Sequence, residues 1–325
     1  MSTSIFKSWT GIKKSKYGRE YLLAGAGIII TLGLSIFLLK AYVFYGKSEL
    51  MYSYQADIQM TSHAKQTSAV YTDIHTLKGT AVVSSGTPLT VIGYDVVKHR
   101  MEKQVYARIK IDDEIFYIQA KSLALKQDNP VNAYIARLDY PKVEIKENIY
   151  SGFKKSPYQT KTGKAAGIVI HDTGTENSTV KDEITHMENQ YADSGVFVHT
   201  FIDDKTIMTI ANPNYEAQGA GLEANPYYLQ FEMTHVYTKQ AFTKQIANAA
   251  YYTAYMLKIN NLAVTLGKKD GSGTVWTHDR VSRYLGGTNH IDPKDYWSDS
   301  AGQFFGSSYD EEDFIQLVQT YYNQL

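Results

Sequence analysis

The first strong feature of the hydrophobic pattern is an uncharged run near the N-terminus, YLLAGAGIIITLGLSIFLL, at residues 21–39. As an α-helix rising about 1.5 Å per residue it would measure roughly 28 Å, close to the hydrocarbon thickness of a bilayer. The basic residues before it are Lys7, Lys13, Lys14, Lys16 and Arg19. The positive-inside rule therefore predicts a cytoplasmic basic segment over 1–20 and a single-pass transmembrane signal anchor over 21–44. The rest of the chain is then expected outside the cell, held at the cell membrane.

The pattern after this run predicts a small β domain. A polar, irregular stretch over 45–65 predicts a spacer, and period-two alternation follows within 66–126. The segments VYARIKI and IFYI flank the turn IDDE, which predicts a β-hairpin, and further short strands predict an all-β barrel or sandwich. The string GTPLTVIG…ARIKIDDEIFYIQAKSL resembles bacterial SH3-like domains. That resemblance implies binding to the cell wall, and a rigid spacer is the alternative.

The remainder of the chain predicts a larger α/β domain. Residues 127–149 contain two prolines and mixed charges, which predicts a linker. Over 150–325, the predicted strands AGIVIHD, VFVHTFID, TIMTIA and YYLQFEMTH alternate with helices. The predicted helices are TVKDEITHMENQYA, KQAFTKQIANAAYYTAYMLKINN and DEEDFIQLVQTYYNQL. This interleaving predicts a mixed central sheet flanked by helices.

Composition limits the chemistry that this chain can perform. Lys and Arg number 33, as do Asp and Glu, so a net charge of zero gives no reason to expect nucleic acid as a partner. There is no cysteine, which excludes disulfides, thiolate metal ligands and a cysteine nucleophile. A metal site must therefore use His, Asp or Glu, which suits zinc in a catalytic role. The oligomeric state stays unknown at this level.

Three residues in the larger domain are candidate zinc ligands. His171 ends an apolar strand, His278 follows the apolar segment TVWT, and Asp292 lies beyond a Gly-Gly turn that can fold the chain back. Two histidines and one aspartate leave the fourth tetrahedral position open, which predicts a catalytic Zn²⁺ site.

Four strings carry a resemblance to a known family: IVIHDTG, GVFVHTFIDD, ANPYYLQFEMTH and VWTHDRVSRYLGGTNHIDPKDYW. They resemble the zinc-dependent N-acetylmuramoyl-L-alanine amidases of type 2, especially those of Gram-positive autolysins, over 150–325. The resemblance implies hydrolysis of the peptidoglycan amide between N-acetylmuramic acid and the L-alanine of the stem peptide. It implies that His171, His278 and Asp292 bind zinc. It also implies that Glu232 is the general base and that His290 stabilises the oxyanion.

Two further residues are weaker predictions for contact with the substrate. Thr288 could hydrogen-bond the stem peptide, and His199 is expected in a structural or pocket-lining role. Phage-type members of the family place a tyrosine where this chain has Val198, so Glu232 would have to carry that tyrosine's part. The alternatives to an enzyme are a non-catalytic peptidoglycan-recognition module and a wall-tethering scaffold, and both leave a complete ligand set unexplained.

Overall fold

The computed structural model describes residues 48–77, 79–99 and 102–325. The predicted basic segment at 1–20 and the predicted membrane anchor at 21–44 lie outside these residues. Among the helices that are described, none combines the length and the apolar character needed to cross a bilayer.

Seven antiparallel strands form the N-terminal sheet. They are β1 Ser48–Ala64, β2 Ser68–Tyr71, β3 Gly79–Val83, β4 Pro88–His99, β5 Glu102–Ile111, β6 Glu114–Gln119 and β7 Leu123–Leu125. Their spatial order is β3-β2-β6-β5-β4-β1-β7. The predicted hairpin is confirmed as β5 and β6, where Asp112 and Asp113 connect the pair Ile111 and Glu114. Both aspartates have positive φ, as a type I′ turn requires. The resemblance to SH3-like domains stays a prediction.

The spacer expected over 45–65 is wrong for its described part, because Ser48–Ala64 is a strand inside this sheet. It pairs with β4 on one side and with β7 on the other. Met60, Ser62 and Ala64 are buried, whereas Thr61 and His63 between them are exposed. The polar residues concealed this strand, because serine also occurs on its buried face.

A second sheet of six strands lies in the larger domain. The strands are β8 Ile145–Glu147, β9 Gly167–Asp172, β10 Thr200–Ile202, β11 Ile207–Thr209, β12 Tyr228–Met233 and β13 Val275–Thr277. Their order is β13-β9-β12-β10-β11-β8. Neighbours are parallel except for β10 and β11, so the predicted mixed sheet is confirmed.

Six α-helices lie within the described residues. They are α1 Pro130–Arg137, α2 Val180–Ser194, α3 Lys239–Asn260, α4 His278–Tyr284, α5 Lys294–Phe305 and α6 Glu311–Gln324. The predicted helices correspond to α2, α3 and α6. Reciprocal capping boxes at Thr179 and Asp310 satisfy backbone N–H groups at the starts of α2 and α6, which explains where these helices begin.

The linker expected over 127–149 is wrong as a description of this segment. It contains both α1 and the edge strand β8. Asn129 donates a hydrogen bond to the Asp313 carboxylate at 2.8 Å, and the buried Asn132 side chain donates to the Asp313 carbonyl at 2.7 Å. These contacts attach the segment to α6, and they join residues far apart in sequence, which local composition does not reveal.

The N-terminal sheet and α6 share a continuous core. Val91 and Tyr94 of β4 belong to the same buried cluster as Leu317 and Tyr321 of α6. Polar contacts reinforce this packing, since the Asp57 carboxylate accepts a hydrogen bond from the backbone N–H of Leu266 at 2.7 Å. The β domain therefore packs directly against the α/β domain.

Candidate active site

Parallel pairing brings the first two functional side chains together. His171 of β9 lies directly opposite Glu232 of β12 in the strand register, so both project from the same face of the sheet. The neighbouring strand β13 ends at Thr277, and His278 is the first residue of α4. All three functional side chains thus lie at the carboxyl ends of parallel strands, where open α/β sheets commonly bind ligands.

A turn returns the chain to this edge with the third candidate ligand. Gly286 and Gly287 have φ values of 85° and 75°, a region that glycine adopts with little strain. A Cβ at Gly287 would lie 3.1 Å from Glu223, so the turn is also tightly packed. The Asp292 carbonyl accepts a hydrogen bond from the Asp279 N–H at 3.1 Å, which holds Asp292 beside the start of α4.

The three predicted ligands converge. The Asp292 carboxylate places one oxygen 3.2 Å from His171 Nδ1 and the other 3.0 Å from His278 Nδ1. The two Nδ1 atoms are 2.9 Å apart, and one donor atom from each of the three residues lies within 4.8 Å of the others. This spacing is compatible with a single small cation.

Burial and mutual contacts set the protonation of these groups. Burial lowers the pKa of His171, which favours the neutral imidazole that a metal requires. Burial alone would raise the pKa of Asp292, but hydrogen bonds from His171 and His278 hold that pKa well below its usual range. The Asp292 carboxylate therefore stays ionised beside the neutral ring of His171.

Glu232 occupies a different environment from Asp292. Its Oε2 atom is buried and, among the residues that the structure describes, has no hydrogen-bond partner. Burial raises the pKa of Glu232 well above its usual range, and the negative charges of Asp292 and Asp172 raise it further. A carboxylate with a raised pKa, next to the convergent candidate ligands, holds a proton more strongly than an exposed glutamate does, which is a property of general bases.

The loop before Asp292 supplies two more groups. The His290 ring stacks on the His278 ring with centroids 4.6 Å apart, and its side chain is 66% exposed. Thr288 Oγ1 lies 2.9 Å from His278 Nε2, within hydrogen-bonding distance. Thr288 thus contacts a candidate ligand, and its hydrogen bond to the stem peptide stays a prediction.

His199 does not reach the site. It is fully buried, its Nδ1 accepts the Gln230 N–H at 3.1 Å, and its Nε2 donates to the Tyr215 carbonyl at 2.8 Å. Both ring nitrogens are occupied by backbone groups, so the role is structural and the suggested substrate contact is wrong. Val198, the preceding residue, does line the cavity.

All of the converging groups line one cavity of about 960 Å³. Its rim carries three exposed aliphatic residues, Val196, Leu222 and Ile291. Three amide side chains also line it: Asn289 of the Gly-Gly loop, and Gln218 and Asn225 of the opposite wall. Gln218 and Asn225 carry no signal in the sequence, because they belong to an irregular segment with no periodic pattern.

Comparison with known proteins relates this chain to peptidoglycan amidases and autolysins. Residues 161–295 match the family model described as N-acetylmuramoyl-L-alanine amidase. The chain is 38% identical over 195 residues to Protein Ami of Listeria monocytogenes, covering 60% of this chain and 20% of that protein. It is 37% identical over 169 residues to a bifunctional autolysin of Staphylococcus aureus, covering 52% of this chain and 13% of the autolysin. The chain thus spans a fifth or less of the length of these relatives.

A solved structure extends the comparison to the fold. The crystal structure of the Staphylococcus aureus hydrolase AmiA, in complex with its ligand, superposes with a TM-score of 0.54 at 35% identity. The match covers 59% of this chain and 89% of AmiA. With the family match and the site geometry, this places the chain in the N-acetylmuramoyl-L-alanine amidase family.

Proposed function

We propose that the protein hydrolyses the amide bond between N-acetylmuramic acid and the L-alanine of the peptidoglycan stem peptide. The observation that carries this proposal is the convergence of His171, His278 and Asp292 beside the buried carboxyl group of Glu232. A recognition module or a tethering scaffold would need neither an open ligand set nor a proton-exchanging group. The names of the amidase and autolysin relatives support the same activity.

The residues present fit a zinc ion. His171, His278 and Asp292 would hold it, and this set of two imidazoles and one carboxylate matches the open sites of catalytic zinc. When bound, zinc would polarise the scissile carbonyl and lower the pKa of a water molecule in the cavity. The chain lacks cysteine, so the third ligand in this site is a carboxylate.

Glu232 would move the proton during hydrolysis. Its carboxylate accepts a proton from the attacking water and later delivers that proton to the leaving amine of L-alanine. The raised pKa of Glu232 suits both steps, because the group must be basic enough to accept the proton and acidic enough to release it. Val198 offers no hydroxyl to share this task.

His290 would stabilise the negative charge that develops on the carbonyl oxygen. Its exposed ring stacks on His278 at the cavity surface, where a substrate carbonyl can approach it. A donor aimed at a developing oxyanion contributes more in the transition state than in the ground state.

The cellular setting that we propose follows from the sequence. Residues 21–44 would anchor the protein in the cell membrane with the N-terminus in the cytoplasm. The amidase domain would then face the cell wall, where peptidoglycan is its partner. Expression of 46–325 without the anchor tests this proposal: the fragment should be soluble, and its retention in washed membranes would contradict the assignment.

The activity is tested by digesting purified peptidoglycan and analysing the new termini by mass spectrometry. New free amines on L-alanine are expected. New reducing sugars without such amines would indicate a glycosidase and would contradict the proposal.

A further inference from the structure

The wall segment formed by residues 215–225 is fastened to the sheet through a buried polar network. Gln230 of β12 lies on the same face of the strand as Glu232, two residues away. Its Oε1 accepts the Gly219 N–H at 2.8 Å, and its Nε2 donates to Asn225 Oδ1 at 3.1 Å. A Cβ at Gly219 would lie 2.7 Å from Gln230 Oε1, so the segment approaches this strand as closely as glycine allows.

Backbone donors fix the orientation of each amide in this network. The Ala220 N–H can only donate, and it lies 2.7 Å from Asn225, so the Asn225 atom that it contacts must be Oδ1. Asn225 Nδ2 then donates to Gln218 Oε1 at 3.3 Å. Gln218 Nε2 donates in turn to Glu216 Oε1 at 3.0 Å. The chain of hydrogen bonds therefore runs in one direction and ends at a buried carboxyl group.

This direction leaves hydrogen-bond donors on the cavity wall. A side-chain amide carries two N–H groups, and Gln218 and Asn225 each use one of them inside the network. Asn225 Oδ1 already accepts two hydrogen bonds, so it has no further accepting capacity. Both residues line the same cavity as Glu232 and the candidate zinc ligands. Two residues of the cavity lining thus each retain one N–H that the network does not use.

We propose that Gln218 and Asn225 bind an amide carbonyl oxygen of the substrate and so contribute to its affinity. Glu216 and Gln230 are positioning residues that hold the two donors in place. The inference rests on the proposed amidase function and deepens it, because it names the recognised chemistry. The carbonyl belongs either to the acetamido group of the sugar or to the stem peptide.

The first test replaces Gln218 by methionine, which keeps the length of the side chain and removes its N–H groups. On a soluble muramyl peptide, Gln218→Met is expected to raise KM roughly three- to tenfold, the worth of one neutral hydrogen bond, with kcat changed less than twofold. Gln218→Glu, which puts an acceptor in place of the donor, should raise KM further. The matched control is Gln240→Met on the exposed first turn of α3, which should leave both constants unchanged.

A second variant keeps the test decisive if Gln218→Met fails to fold. Asn225→Asp retains the acceptor for Ala220 N–H and Gln230 Nε2 but removes both N–H groups. Its KM should also rise. Unchanged KM in a Gln218 or Asn225 variant that unfolds at the wild-type temperature would overturn the proposal.

The same substrate without its N-acetyl group distinguishes the two sources of the carbonyl. If the acetamido carbonyl is bound, wild-type KM on this substrate rises to that of Gln218→Met. If a stem-peptide carbonyl is bound, the difference in KM between wild type and Gln218→Met persists.

A calorimetric measurement of muramyl peptide binding to wild type and to Gln218→Met separates this inference from the proposed function. Absence of turnover by the wild type would contradict the amidase, whereas equal affinities of the two proteins would contradict the carbonyl site.

Discussion

The two halves of the active site are held by different means. Backbone pairing between β9 and β12 sets the separation of His171 and Glu232, and both lie among buried residues. Thr288, His290 and Asp292 come instead from a loop that depends on a Gly-Gly turn and a few hydrogen bonds. The strand half provides rigid positions for a candidate ligand and for the proposed proton acceptor. In the loop half, the proposed oxyanion donor His290 is exposed, so it gains access to the cavity at the expense of burial.

Removal of the proton acceptor should have the largest effect and tests the strand half. Glu232→Gln keeps the shape of the side chain but cannot accept a proton at neutral pH. We expect kcat to fall by about 10²- to 10⁴-fold, the usual contribution of a general base, while zinc content stays at that of the wild type. Steady-state kinetics and metal analysis of the same sample check this. If the Glu232→Gln variant kept the turnover number of the wild type, Glu232 would have no part in the mechanism.

Loss of the exposed histidine tests the loop half. His290→Ala should lower kcat by about 10²- to 10³-fold, because one donor to the oxyanion is lost. KM and zinc content should change little, since the ring is 66% exposed and is not one of the three converging ligands. A large loss of bound zinc instead would show that His290 acts as a ligand.

A smaller effect is expected at His278, which follows strand β13 and which the loop half contacts through Thr288. Thr288→Val removes the hydroxyl group next to His278 Nε2 and keeps the β-branched shape. Loss of such a supporting contact typically lowers metal affinity by about 10- to 100-fold. Competition with a zinc chelator measures the affinity, and Thr288→Ser should restore it. Equal zinc affinity of wild type and Thr288→Val would show that Thr288 does not orient His278.

The smallest predicted effect is on stability, and it comes from the buried His199, which hydrogen-bonds the backbone of strand β12. Burial lowers the pKa of His199 from 6.5 to about 4. On acidification, the ring is therefore protonated at a lower pH in the folded protein than in the unfolded chain. Its contribution to stability is therefore complete above pH 6.5 and is lost progressively as the pH falls from 6.5 to about 4. Between pH 7 and 5.5 the free energy of unfolding should fall by about 1 kcal/mol from this group. Denaturant unfolding should show a weaker pH dependence in His199→Gln, and an identical dependence would contradict this origin.

The sequence predicted which three side chains converge, because each one follows a local signal. His171 and His278 adjoin short apolar segments, and a Gly-Gly turn precedes Asp292. The long amphipathic helices and the hairpin turn were predictable for the same reason. Their periodicity and their turn residues are local properties of the chain.

Other features depend on contacts that are distant in sequence. The strand Ser48–Ala64 was missed because its polar residues satisfy partners across the sheet. Gln218 and Asn225 lie in an irregular segment, and only the fold shows that Gln230 holds them at the cavity. For His199 the sequence left a structural and a pocket-lining role open, and only the fold shows that its nitrogens bond backbone groups of Tyr215 and Gln230.

The central claim is that His171, His278 and Asp292 together bind one zinc ion beside Glu232. X-ray absorption at the zinc edge, with metal analysis of the same purified protein, tests it most directly. We predict one zinc per chain with two imidazole nitrogens among its ligands, and loss of that zinc in Asp292→Ala. A wild-type protein that binds no zinc, or an Asp292→Ala variant with unchanged zinc coordination, would contradict the account.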